Sequence, residues 1–146
     1  MADITYGDSL ARKIAGYDIQ KVSLTVGHAD LTAAATSQVV NIGSAALPSG
    51  AYIVGRTIAL ATAFSGGGAG AVSVDIGGTD ADAIVDGESL FTGATTAKAG
   101  TSGINPNGAL GGQQITATFI SDVNVVLLTA GSVTIDVLYV VPTVFG

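Results

Sequence analysis

The one histidine of the chain, His28, stands two residues before Asp30. A histidine beside a carboxylate is the start of a general base or of a metal site. No second histidine and no cysteine exists to complete a metal site, and no serine sits in a Gly-x-Ser-x-Gly turn. Gly27-His28-Ala29-Asp30 therefore reads as a polar turn following a strand. A second group is acidic: Asp75, Asp80, Asp82, Asp86 and Glu88. Calcium takes six to eight oxygens, which carboxylates at this density could offer. The helix-loop-helix calcium pattern fails, because Ile84 and Val85 stand where an oxygen ligand and a glycine are required. A solvated acidic loop is the first reading of Asp75 to Glu88 and a calcium site the second; acid–base work on sugars would want stacking aromatics, and the chain has no Trp. A third group, Gly66-Gly67-Gly68-Ala69-Gly70-Ala71, matches a relaxed dinucleotide pattern. Phosphate binding needs that turn to open a helix, whereas Val72-Ser73-Val74-Asp75-Ile76 alternates like a strand. No nucleophile, base and orienting group assemble, so the expectation is a protein without catalysis, cofactor or metal.

The elements that would position these residues are strands. Gly is abundant and punctuates short runs of Val, Ile, Thr and Tyr. The clearest run is 133–141, with Val133, Ile135, Val137, Tyr139 and Val141 on one face. Residues 123–128 precede it, joined through Thr129-Ala130-Gly131-Ser132 as a hairpin connection. Ile115, Ala117 and Phe119 alternate with Thr116, Thr118 and Ile120. Residues 51–64 form a long candidate anchored by Tyr52, Val54, Ile58, Leu60 and Phe64. Residues 71–76, 19–26 and 38–42 complete seven strands, with 89–92 as an eighth candidate. The last three strands suggest a meander. Helical periodicity is weak, although Asp8 to Ala15 fits two turns between an N-cap and Gly16. The pattern predicts one all-β domain, an antiparallel β-sandwich of jelly-roll or Greek-key type over 18–146, preceded by an N-terminal arm over 1–17.

Charge narrows the partners. Asp, Glu, Lys and Arg make up 11% of the 146 residues, against roughly 25% in an ordinary soluble domain. Mean hydropathy is positive. A skin of Ser, Thr, Ala, Gly and apolar side chains favours contact with other protein. The net charge of −6 and the scattered Arg12, Lys13, Lys21, Arg56 and Lys98 give no concentrated positive face for nucleic acid. No apolar run reaches the length of a membrane-spanning helix, and no basic segment leads into an apolar one as in a signal peptide. The first 21 residues carry three acids and three bases, so the negative charge lies beyond them. That neutral start marks an arm with a role of its own. The tail Val140-Val141-Pro142-Thr143-Val144-Phe145-Gly146 is apolar and must pack back or join a contact between subunits.

Several phrases resemble a known family. They are His28-Ala29-Asp30-Leu31-Thr32-Ala33-Ala34-Ala35-Thr36-Ser37-Gln38, Leu47-Pro48-Ser49-Gly50-Ala51, Phe64-Ser65-Gly66-Gly67, Val72-Ser73-Val74-Asp75-Ile76-Gly77 and Leu128-Thr129-Ala130-Gly131-Ser132-Val133. Together they resemble the small capsid decoration, or cement, proteins of tailed bacteriophages, over residues 20 to 142. The resemblance implies a structural virion protein, made in the bacterial cytoplasm. It would bind the outer surface of the assembled major capsid protein and stabilise the shell. It also implies a homo-oligomer, with a trimer favoured, and no nucleic-acid or membrane partner. The candidate interface residues are Ile4, Thr5, Tyr6, Leu10 and Ile14 in the arm and Val144 and Phe145 in the tail. Ile4-Thr5-Tyr6 could add a strand to a neighbour's sheet. The alternatives are a carbohydrate- or receptor-binding sandwich and a tail or fibre accessory protein. Tyr6, Tyr17, Tyr52 and Tyr139 do not cluster in sequence as a sugar-stacking platform would.

Overall fold

A computed structural model of the chain describes residues 19–91, 96–100 and 110–141. The arm helix expected at Asp8 to Ala15, and the candidates Ile4, Thr5, Tyr6, Leu10, Ile14, Val144 and Phe145, lie outside the described residues.

Eight strands account for most of the rest. They are β1 (Ile19–Gly27), β2 (Ser37–Ile42), β3 (Tyr52–Ser65), β4 (Val72–Gly77), β5 (Val85–Ser89), β6 (Thr96–Gly100), β7 (Ile115–Ser121) and β8 (Ala130–Val140). A first sheet has the order β1-β8-β3-β6 and a second β2-β7-β4-β5. All six strand pairs are antiparallel. Each strand pairs with its mirror in the sequence: β1 with β8, β2 with β7, β3 with β6, β4 with β5. That is one long hairpin rolled into two packed sheets, the jelly roll.

Alternation explains the core. Val72, Val74 and Ile76 of β4 face inward beside Ile115, Ala117 and Phe119 of β7. Val133, Ile135 and Val137 of β8 face them from the first sheet. Phe64 of β3 and Phe119 of β7 meet between the sheets, ring centres 6.0 Å apart and tilted 46°, an arrangement aromatic pairs favour. The Phe64 ring has room because residue 131 is glycine. A Cβ there would lie 2.3 Å from Phe64 Cδ1, and φ is +142°.

Four expectations need correction. Residues 123–128 are not a strand: they hold the one-turn 3-10 segment Val125–Leu127. Residues 129–132 are not a hairpin turn, because β8 already begins at Ala130 and lies in the other sheet from β7. The last strands therefore cross between sheets rather than meander. In β3, Val54 is an extra residue between the partners of Tyr139 and Leu138. This bulge puts Ile53 and Ala51 in the core and leaves Val54 exposed. Finally, the strand near 89–92 is β5, placed earlier at 85–89, and β6 was not anticipated.

The strands meet at two ends of the described body. Ile19 pairs with Val140, which also pairs with Tyr52, so β1 starts where β8 ends. At the opposite end Gly27 pairs with Ser132 and Ser65 with Ala130. The connections 28–36, 66–71 and 122–129 gather there. Among the described residues there is no α-helix, and none is long and apolar enough to cross a membrane.

Candidate interaction surface

The sequence singled out His28 with Asp30, the acidic group, the glycine run and the two chain ends. The structure gives the first three structural work. The Asp30 carboxylate accepts the Gly27 N–H at 2.8 Å, closing the turn His28–Asp30, and the His28 carbonyl accepts the Leu31 N–H. The glycine run connects β3 to β4 and opens a strand, as expected. The Asp122 carboxylate ties it down by accepting the N–H groups of Gly70 at 3.0 Å and Ala71 at 3.3 Å.

The acidic residues do not converge. Asp75 lies on the outer face of β4 and accepts the Gly87 N–H at 2.7 Å. Asp80 and Asp82 sit in the loop before β5, and Asp86 and Glu88 on β5 itself. Among the described residues no three His, Cys, Asp or Glu side chains gather as a metal site. Asp80 and Asp82 do meet. A hydrogen bond between their carboxyls, and repulsion between them as anions, raise the pKa of Asp80.

The surfaces left for recognition are poor in charge. On the outer face of the second sheet, Ser37, Ile120, Ser73 and Ser89 stand in one row. Val39, Thr118 and Asp75 form the next, and Asn41, Thr116 and Gly77 the third. Asp75 is the one ionisable group among these rows. Val39 is 60% exposed and Ile120 36%. The outer face of the first sheet is knit across its strands instead. Asp136 accepts from the hydroxyls of Ser23 and Thr57, and Thr25 bonds Thr134.

A second apolar feature closes the end away from Ile19. Val126 and Leu127 are 45% and 49% exposed at the tip of the 3-10 turn. The turn is held rigidly, because Val125 N–H donates to Ala35 O, Val126 N–H to Ala33 O and Thr129 N–H to Ser65 O. Sequence reading missed this tip. Its signal in the sequence is Asn124, which interrupts the apolar run and caps the 3-10 turn.

No family model and no curated protein sequence matches the chain. Solved structures do resemble it, chains of two phage capsids among them. One is a chain of the cyanophage Pam1 capsid asymmetric unit, at a TM-score of 0.61 and 17% identity, covering 87% of both chains. The other comes from the acid-stable capsid of Helicobacter pylori bacteriophage KHP30, at a TM-score of 0.51 and 15% identity, covering 88% of this chain and 97% of that one. At such identities the likeness establishes shared architecture: the β-sandwich described above is also the fold of chains in two phage capsids.

Proposed function

We propose that this chain is a structural protein of a tailed-phage virion, which binds the outer surface of the assembled capsid and stabilises it as a decoration protein. The observation that carries the reading is a jelly roll matching chains from two phage capsids over nearly its whole length. The surface supports it. The stretch of sheet face across β2, β7 and β4, with Asp75 as its one ionisable group, and a rigid tip of Val126 and Leu127 suit close protein contact. The role needs neither catalysis nor a cofactor. Three copies around a local three-fold axis would multiply weak contacts into firm attachment.

The test is co-sedimentation with empty, expanded shells from phage lacking this gene. The protein should pellet with the shells at saturable stoichiometry and raise the temperature at which they disrupt. A chain that stays in the supernatant, and leaves that temperature unchanged, overturns the proposal.

A further inference from the structure

Each sheet ends in two edge strands, and an unguarded edge is a template for another strand. Three of the four carry charge. β1 contains Lys21, β6 contains Lys98, and β5 contains Asp86 and Glu88. β5 is also broken by a bulge between the pairs Val74–Glu88 and Ile76–Val85. β2, Ser37-Gln38-Val39-Val40-Asn41-Ile42, has no charge, no proline and no bulge, and it pairs with β7 without interruption.

The free side of β2 can be read from its ladder. Ser121 N–H donates to Thr36 O, so Thr36 and every second residue after it exchange bonds with β7. Ser37, Val39 and Asn41 consequently aim their N–H and C=O groups away from the sheet. All three are exposed.

We propose that this edge receives the N-terminal segment of a second copy, with Ile4-Thr5-Tyr6 added as an antiparallel strand. Eighteen residues precede Ile19. Fully extended they reach up to about 60 Å, enough to leave their own domain. The start of β1 lies beside the end of β2: a Cβ on Gly43, just past β2, would lie 3.2 Å from Val22 Cγ1. Folded directly back on its own body, the segment would run parallel to β2. Arriving from a second copy it can enter antiparallel, the ladder of every pair in the described body. Ile4, Thr5 and Tyr6 are strand-forming types, and Ile4 to Gly7 is an uncharged stretch between Asp3 and Asp8. A neutral strand on a neutral edge buries no unpaired charge.

The absence of cysteine makes the test clean. Two chains of different tag length are co-expressed, one carrying Thr5→Cys and the other Val39→Cys, then mildly oxidised. The expected product links one chain of each length. Linked pairs of Val39→Cys alone would mean that β2 meets β2, and no product would mean that the segment does not reach the edge; either overturns the proposal. Val39→Lys supplies the second arm. It should fold with an unchanged far-ultraviolet spectrum, sediment as a monomer, and cut the oligomer fraction by about ten-fold or more. Ser89→Lys on the guarded edge β5 should leave the mass unchanged. A wild-type chain that is monomeric, or a Val39→Lys chain that keeps the wild-type mass, overturns the proposal.

Discussion

The two edges of the second sheet hang from the same core strands and differ in the devices that control pairing. β5 is five residues long, bears Asp86 and Glu88, and bends where Gly87 takes φ +66° to donate its N–H to Asp75. A strand approaching it meets charge and a broken ladder. β2 presents three evenly spaced residues whose backbone groups point away from β7, and Val39 as its most exposed apolar side chain. The lesson is that low overall charge does not spread stickiness evenly over a sandwich. The acids of the second sheet collect on one side, and the other side is left able to pair.

The largest effect should come from removing what both edges share. Phe119 lies on β7, between β2 and β4, and is fully buried against Phe64. Phe119→Ala should cost about 3–5 kcal/mol. Urea unfolding should shift as one transition by fluorescence and circular dichroism. A separate early loss of β2 would break the comparison, because the edges would then not share one cooperative core.

A proline scan along β2 sharpens it. Val39 N–H points away from β7, so Val39→Pro keeps every ladder bond to β7. Val40 N–H points into the ladder opposite Ala117. Val40→Pro should therefore cost about 1–3 kcal/mol more than Val39→Pro, by orphaning a buried carbonyl. Equal losses in chemical denaturation would show that the free side of β2 has been assigned to the wrong residues.

On the guarded edge, Gly87→Ala forces a side chain into the left-handed region. It should lower stability by about 1–2 kcal/mol. Asp86 and Glu88 remain on the edge, so light scattering should find the mass unchanged. A rise in mass would mean that the bulge, and not the charge, is what keeps β5 unpaired.

The contrast between the edges also explains what could be read in the sequence. β4 and β7 were legible because Val72, Val74, Ile76 and Ile115, Ala117, Phe119 keep period two without a break. β5 was not, since Val85-Asp86-Gly87-Glu88-Ser89 has a glycine and two acids in five residues. Its strand character comes from pairing with β4 and from the Asp75 bond. β6, Thr-Ala-Lys-Ala-Gly, has little strand propensity and is recruited by β3. Val123 to Leu128 misled in the opposite sense: an apolar run bent by tertiary hydrogen bonds to Ala33 and Ala35. The exposed pair Val39 and Ile120 was invisible for a related reason. Alternation says that a strand has two faces, but the pairing with β7 decides which face is outside.

The smallest effect concerns the acids gathered before β5. Asp80 is fully exposed, and its pKa is raised by Asp82 through a shared hydrogen bond and mutual repulsion. A folded-state pKa above the unfolded one means that the folded chain holds the proton more tightly. Stability should therefore fall slightly as pH rises from the ordinary aspartate value through the raised one, and recover on acidification through the same window. Solvent and salt screen exposed carboxylates, so the slope should be shallow and flatten further at high ionic strength. Asp82→Asn removes the repulsion. Carboxyl NMR should then show the Asp80 midpoint moving down, with the slope in that window lost. An unmoved midpoint would place the source of the shift elsewhere in the loop, and the crowding of charge on the β5 side would lose its most direct measure.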